Sequence, residues 1–101
     1  MLIHHVYFWL KEGLSQEDKQ KFVQGLEALQ QIDYLKMAHI GVPAPTEERA
    51  VVDSSYSYSW LTIFDSQHDH DVYQKDPVHM KFIEDCASLW ERARVYDSVS
   101  A

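Results

Sequence analysis

Residues 2–10, LIHHVYFWL, are β-branched and aromatic, and a period of two divides them into Leu2, His4, Val6, Phe8 and Leu10 against Ile3, His5, Tyr7 and Trp9. Both sets are largely apolar, whereas a strand with one wet face alternates cleanly. The pattern therefore predicts a first strand covered on both sides. Gly13 closes it, and Ser15 with Asp18 makes a capping-box-like start for a helix whose stripe is Phe22, Val23, Leu26, Leu29 and Ile32. Residues 35–42 read as a second strand, ended by Gly41 and the Pro43, Pro45 pair; an acidic loop, the expected mobile segment, follows to about Asp53. Residues 55–64, SYSYSWLTIF, alternate most sharply and place Tyr56, Tyr58, Trp60, Thr62 and Phe64 on one face of a third strand. Ser66 caps a short helix through about Lys75, and Asp76 followed by Pro77 supplies the cap and first-turn proline of another. Val78, Phe82, Ile83, Cys86, Leu89 and Trp90 form the buried stripe of that last helix, and residues 94–99 the closing strand.

The order is β-α-β-β-α-β with the second helix broken at Pro77. This is the α+β, ferredoxin-like arrangement, a four-stranded antiparallel sheet with helices on one face. The other face is left with Ile3, Tyr7, Trp9, Leu61 and Ile63, an apolar patch larger than a soluble monomer usually exposes. Two such sheets packed face to face would cover it, so a homodimer is expected. There is no internal repeat and no linker, and residues 1–101 read as one domain, long enough to bury roughly 65% of the unfolded chain's surface.

Composition narrows the function. Hydrophobic residues make up 46% and aromatic residues 13%, with three Gly and three Pro, which excludes disorder. A formal charge of −7 argues against nucleic acid or an anionic membrane as partner, since both demand a basic face. The longest apolar run, Val6 to Leu10, is too short to span a bilayer, and the first residues lack a secretory pattern. The single Cys86 permits neither an internal disulfide nor a cysteine metal cage, so a cytoplasmic location is expected. Cys86 sits on the buried stripe without an evident base, which argues against a nucleophilic role.

His4 on the first strand, Lys11 with a helix soon after, Phe64 ending the third strand, Tyr73, the Asp76-Pro77-Val78-His79 segment, Phe82 and Trp90 form one pattern. It resembles the stress-responsive dimeric α/β-barrel (Dabb) family over nearly the whole chain. The spacing from Tyr73 through Pro77 to His79 is its most specific element. The resemblance implies a homodimer whose two sheets pack into a barrel, in agreement with the two-faced strands. It also implies a distant relation to a plant polyketide (olivetolic acid) cyclase, which closes a ring by intramolecular aldol condensation without cofactor or metal. In that enzyme a His and a Tyr at the places of His79 and Tyr73 act together. By that resemblance His79 and Tyr73 are the catalytic candidates, no cofactor is needed, and the ligand is a small hydrophobic carbonyl compound. His4, Val23, Leu26, Tyr58, Trp60, Phe82 and Trp90 are the expected pocket lining. Val23 and Leu26 stand where the plant enzyme has aromatic side chains, and Trp60 where it has a smaller one, so the cavity and substrate should differ.

The chemistry of the pair follows from its placement. If Asp76 caps the last helix, His79 is its third residue, where the positive end of the helix dipole disfavours protonation. A neutral imidazole there can accept a proton while the Tyr73 phenol hydrogen-bonds a carbonyl on which enolate charge develops. The same two side chains would equally serve as a structural hydrogen-bonded pair at the helix junction. Two alternatives to such an enzyme therefore stand: a non-catalytic stress-response or ligand-binding module, and a cofactor-free monooxygenase of the related dimeric ferredoxin-like group. His4 shares a face with Val6 and Phe8 and either meets His79 in a pocket or is a core histidine. The segment His68-Asp69-His70-Asp71 carries metal-ligating side chains. Residues two apart on a helix point to different sides, however, so His68 and His70 do not converge; a solvated helix start and no metal site are expected. The Tyr56, Tyr58, Trp60 stripe is core, or the wall of any pocket that exists. No phosphate-cradling loop, catalytic triad or zinc spacing appears.

Overall fold

The computed structural model describes all 101 residues, in the order β1 (Leu2–Leu10), α1 (Gln16–Leu29), β2 (Met37–Gly41), β3 (Tyr58–Phe64), α2 (Gln67–Gln74), α3 (Pro77–Cys86) and β4 (Trp90–Val99). Every strand pairing is antiparallel and the sheet order is β2-β3-β1-β4, with β1 and β3 central. The two-residue period of β1 sends Leu2, His4, Val6 and Phe8 under the helices, all buried, and leaves Ile3, His5, Tyr7 and Trp9 half-buried on the opposite face. In register with the buried set lie Phe64, Thr62, Trp60 and Tyr58 of β3.

Helix α1 starts where Ser15 accepts a hydrogen bond from the Asp18 amide at 3.1 Å, satisfying one of the free N–H groups of the first turn. Phe22, Leu26 and Leu29 are its buried residues. The Phe22 ring centres the core, 5.1 Å from Phe8, 5.5 Å from Tyr58, 5.9 Å from Phe82 and 6.2 Å from Trp90 between centroids. A Cβ at Gly25 would fall 2.9 Å from Phe82 Cδ1 and 3.1 Å from Cys86 Sγ, so glycine is what lets α1 approach α3 this closely.

Four elements differ from the sequence reading. The last helix stops at Cys86; Leu89 lies in a single 3₁₀ turn, Ala87–Leu89, and Trp90 opens β4 instead of ending the helical stripe. Strand β4 therefore starts before residue 94 and pairs along all of β1, from Leu2↔Val99 to Leu10↔Trp90, with an irregularity between Trp9 and Leu10. Val78 and Ile83 are exposed, at 41% and 39%, because α3 buries Phe82 against Phe8 of the sheet and Cys86 against α1, and does not reach over β4. The helix-side residues of that edge strand, Ala93, Val95, Asp97 and Val99, consequently stay uncovered. Tyr56 leaves the helix face: ladder pairing starts only at Tyr58, and its ring packs on the opposite face, 4.8 Å from Tyr7 and 6.5 Å from Trp9. The second strand is also shorter than residues 35–42, because its ladder with β3 runs only from Met37 to Gly41.

Candidate functional site

The junction between α2 and α3 positions the candidate pair. Ser66 caps α2 by accepting from the Asp69 amide at 3.2 Å, and Tyr73 lies in the last turn, 1% exposed. Asp76 then caps α3 through the Val78 amide at 2.8 Å, with Pro77 at the first helical position, where its missing N–H costs nothing. His79 is thereby the third residue of α3, and its ring meets Tyr73 at 4.8 Å and 63° in an edge contact. The two rings touch without a hydrogen bond between them.

Tyr73 is held as a donor. Trp60 Nε1 donates to the Tyr73 hydroxyl oxygen at 3.0 Å, and burial, only partly offset by that bond, pushes the phenol up to about 12. The phenol thus keeps its proton at neutrality. His79 is shifted below the ordinary imidazole value, first by burial and then by His4 nearby; the Gln74 carbonyl and the Asp76 carboxylate oppose this without reversing it. Its Nδ1 is buried without a hydrogen bond of acceptable geometry, so Nε2 is the nitrogen left to exchange a proton with a ligand. Burial, more than the helix end, keeps this imidazole neutral.

These side chains open on a cleft of about 170 Å³ between α3 and the uncovered side of β4, which His4, Trp60, Tyr73, His79, Phe82 and Trp90 line together with Ala93 and Val95. Val23, Leu26 and Tyr58, expected to share that lining, stand apart from it. The Phe22 ring fills the space between Tyr58 and the Phe82–Trp90 wall; Leu26 is fully buried, and Val23 borders a polar hollow on the outer side of α1.

His4 lies in register with Asp97 of β4, and His4 Nδ1 donates to Asp97 Oδ1 at 2.5 Å. The contact favours the imidazolium, yet burial outweighs it and the histidine is shifted down. His70 departs from the solvated helix start expected of its segment: its ring lies 4.9 Å from His4 and 5.5 Å from Phe64. The signal was its position three residues before the buried Tyr73, on the same helical face. Asp97 was missed because its partner stands across a strand pair that sequence alone does not register.

His4, His5 and His79 are all shifted down, with burial the largest cause in each. The folded state refuses protons that the unfolded chain accepts below 6.5, so their contribution is fully present above that value and is lost as pH falls through the folded values. The melting temperature should therefore drop on acidification from neutrality, and His79→Asn should flatten the slope. An unchanged slope in that variant would show that His79 does not contribute.

A four-stranded antiparallel sheet in the order β2-β3-β1-β4, carrying its helices on one face, defines a ferredoxin-like α+β protein. The chain matches the Stress responsive A/B Barrel Domain (Dabb) family over residues 2–100 and belongs to it. Among solved structures it is similar to a Dabb family protein with a ferredoxin-like fold from Mesorhizobium loti, at 20% identity and TM-score 0.79, over 99% of this chain and 96% of that one. A hydroxynitrile lyase from Passiflora edulis is similar at 20% identity and TM-score 0.81, over 99% and 93%. A dimeric ferredoxin-like protein of unknown function from Thermobifida fusca is similar at 15% identity and TM-score 0.78, over 98% and 90%. A search of curated proteins finds no match. No helix is long and apolar enough to cross a membrane.

Proposed function

We propose that this Dabb protein binds a small hydrophobic carbonyl compound in the cleft and performs cofactor-free acid–base chemistry of the aldol or cyclase type, with His79 as base and Tyr73 as hydrogen-bond donor. The observation that carries the reading is a histidine shifted toward its neutral form, its Nδ1 buried without a hydrogen-bond partner, in edge contact with a buried, protonated phenol on an apolar cleft. His79 Nε2 removes a proton from the carbon beside the carbonyl. The phenol donates to the carbonyl oxygen as it gains charge, and the Trp60 N–H on the phenol oxygen supports that transfer. The enolate carbon then attacks a second carbonyl, and the imidazolium returns its proton to the new alkoxide. A volume of about 170 Å³ suits a molecule of roughly one aromatic ring, since benzene fits an apolar cavity of about 150 Å³. The lyase from Passiflora edulis lends support, because splitting a hydroxynitrile also requires proton transfer at a carbonyl-derived oxygen.

The narrowness of the cleft, below the roughly 300 Å³ at which small-molecule sites begin, supports a second reading, a module that binds such a ligand without turning it over. Small aromatic aldehydes and ketones, screened for binding and for turnover, separate the two. Turnover should fall at least about 100-fold in both His79→Ala and Tyr73→Phe. His79→Ala removes an unpartnered buried nitrogen, so its stability should stay within about 1 kcal/mol of the parent. A large loss of stability with ligand binding intact would make His79 structural and overturn the proposal.

The protein is further proposed to act as a homodimer joined through the open sheet face. Ile3, Tyr7, Leu61 and Ile63 are half-buried there, and Met37 and Tyr96 on the same face are 51% and 57% exposed. The dimeric relative from Thermobifida fusca supports this assembly.

A further inference from the structure

We propose that His4, His70 and Asp97 form a binding site for one divalent transition-metal ion of the zinc type, independent of the acid–base reading above. The three residues come from β1, α2 and β4, and one ligand atom from each lies within 4.8 Å of the other two. The expectation of no metal rested on His68 and His70, neighbours that cannot converge; the fold instead gives His70 two partners distant in sequence. Two imidazoles and one carboxylate suit zinc, cobalt or ferrous iron, whereas magnesium and calcium take oxygen ligands.

The surroundings prepare each ligand. Asp71 Oδ1 accepts from His70 Nδ1 at 3.0 Å, which places the ring proton on Nδ1 and leaves the Nε2 lone pair for an ion. The Gln74 amide nitrogen, 3.4 Å from Nε2, is a weak donor that an ion displaces. His4 is held by burial at 5% exposure, and the proton on its Nδ1 is shared with Asp97. An ion replaces that proton and spreads the two atoms from 2.5 Å to the roughly 3.3 Å that separates tetrahedral ligands bound at about 2.0 Å. Asp97 has room to make this move, because its side chain is 44% exposed on an edge strand that the helices leave bare. A remaining coordination position faces a hollow of about 240 Å³ bordered by Gln67, His70, Asp97 and Ser98, where water or a small anion completes the shell.

The 101-residue chain, stripped with a chelator, is titrated with zinc and separately with cobalt, by calorimetry and by visible absorption. One ion per chain is expected, with cobalt bands of a nitrogen- and oxygen-ligated, low-coordinate site. His70→Ala and Asp97→Ala should each weaken binding at least about 100-fold, beyond the loss typical of an outer-shell partner. His68→Ala, on the same helix, and His39→Ala, on the opposite sheet face, should bind as the parent does. Asp97 is exposed on its edge strand, and His70, although its ring packs on Phe64, is not one of the buried residues, so both variants should fold, which circular dichroism checks. Absence of stoichiometric binding in the parent, or binding in His70→Ala as tight as in the parent, overturns the assignment. Loss of binding in His68→Ala or His39→Ala would do the same.

Discussion

Replacing Phe22 by alanine is expected to lower the free energy of unfolding by about 3–5 kcal/mol, the range for emptying the site of a fully buried aromatic ring. The ring is 0% exposed and lies within 6.2 Å of four other aromatic rings, from β1, β3, α3 and the start of β4. Its contact with Phe8 is edge-on at 77°, a geometry that adds to the area it buries. No single neighbour can collapse into the space, because each is itself anchored on a different element. A domain of this size holds only about 5–15 kcal/mol in reserve, so the variant should stand close to unfolding at ambient temperature. Val23→Ala, one residue along, removes a side chain at the edge of the buried stripe beside a polar hollow and should cost about 1 kcal/mol or less. Urea unfolding at one fixed protein concentration measures both. Equal losses in the two variants would mean that α1 is rotated so that Val23 is buried as deeply as Phe22.

That contrast also marks how far sequence reaches. The strands of the central pair were legible because each keeps a period of two; β1 has the bounds its pattern implies, whereas β3 starts at Tyr58 instead of residue 55. The caps at Ser15, Ser66 and Asp76 were legible because each needs only a side chain and an amide two or three residues on. The Tyr73–His79 contact was legible through a family spacing, since both residues belong to one local junction. What escaped depends on distance in sequence. Val23 and Leu26 share a helical stripe with Phe22, and periodicity cannot tell that the Phe22 ring screens the cleft from that end. The reach of β4 back to Trp90 follows from pairing with β1, and the pairing of Asp97 with His4 follows from the same register. His70 looked solvated because its neighbours in sequence are polar, while the side chains that surround it come from β1 and β3.

The open face of the sheet sets the last expectation. Ile63→Asp should turn a dimer into a folded monomer, raising the dissociation constant at least about 1,000-fold, since each 1.4 kcal/mol is tenfold and an unpaired buried carboxylate costs several kcal/mol. Ile63 pairs with Ile3 on one side and Met37 on the other, so no cation stands in its row to neutralise the charge. Aspartate is chosen over lysine because its side chain is too short to carry the charge out to the rim. Within one chain the position is only half-buried on a face that water can reach, so the substitution leaves the helix-side core and its circular dichroism intact. Leu61 is a weaker choice, because His5 and His39 flank it and either ring N–H could hydrogen-bond a new carboxylate. Sedimentation velocity should give twice 11.8 kDa for the parent and 11.8 kDa for the variant at micromolar concentration. A parent that sediments at the lower mass removes the dimer altogether. A variant that stays at the higher mass moves the interface elsewhere, and the apolar face formed by Ile3, Tyr7, Leu61 and Ile63 would then need a different partner.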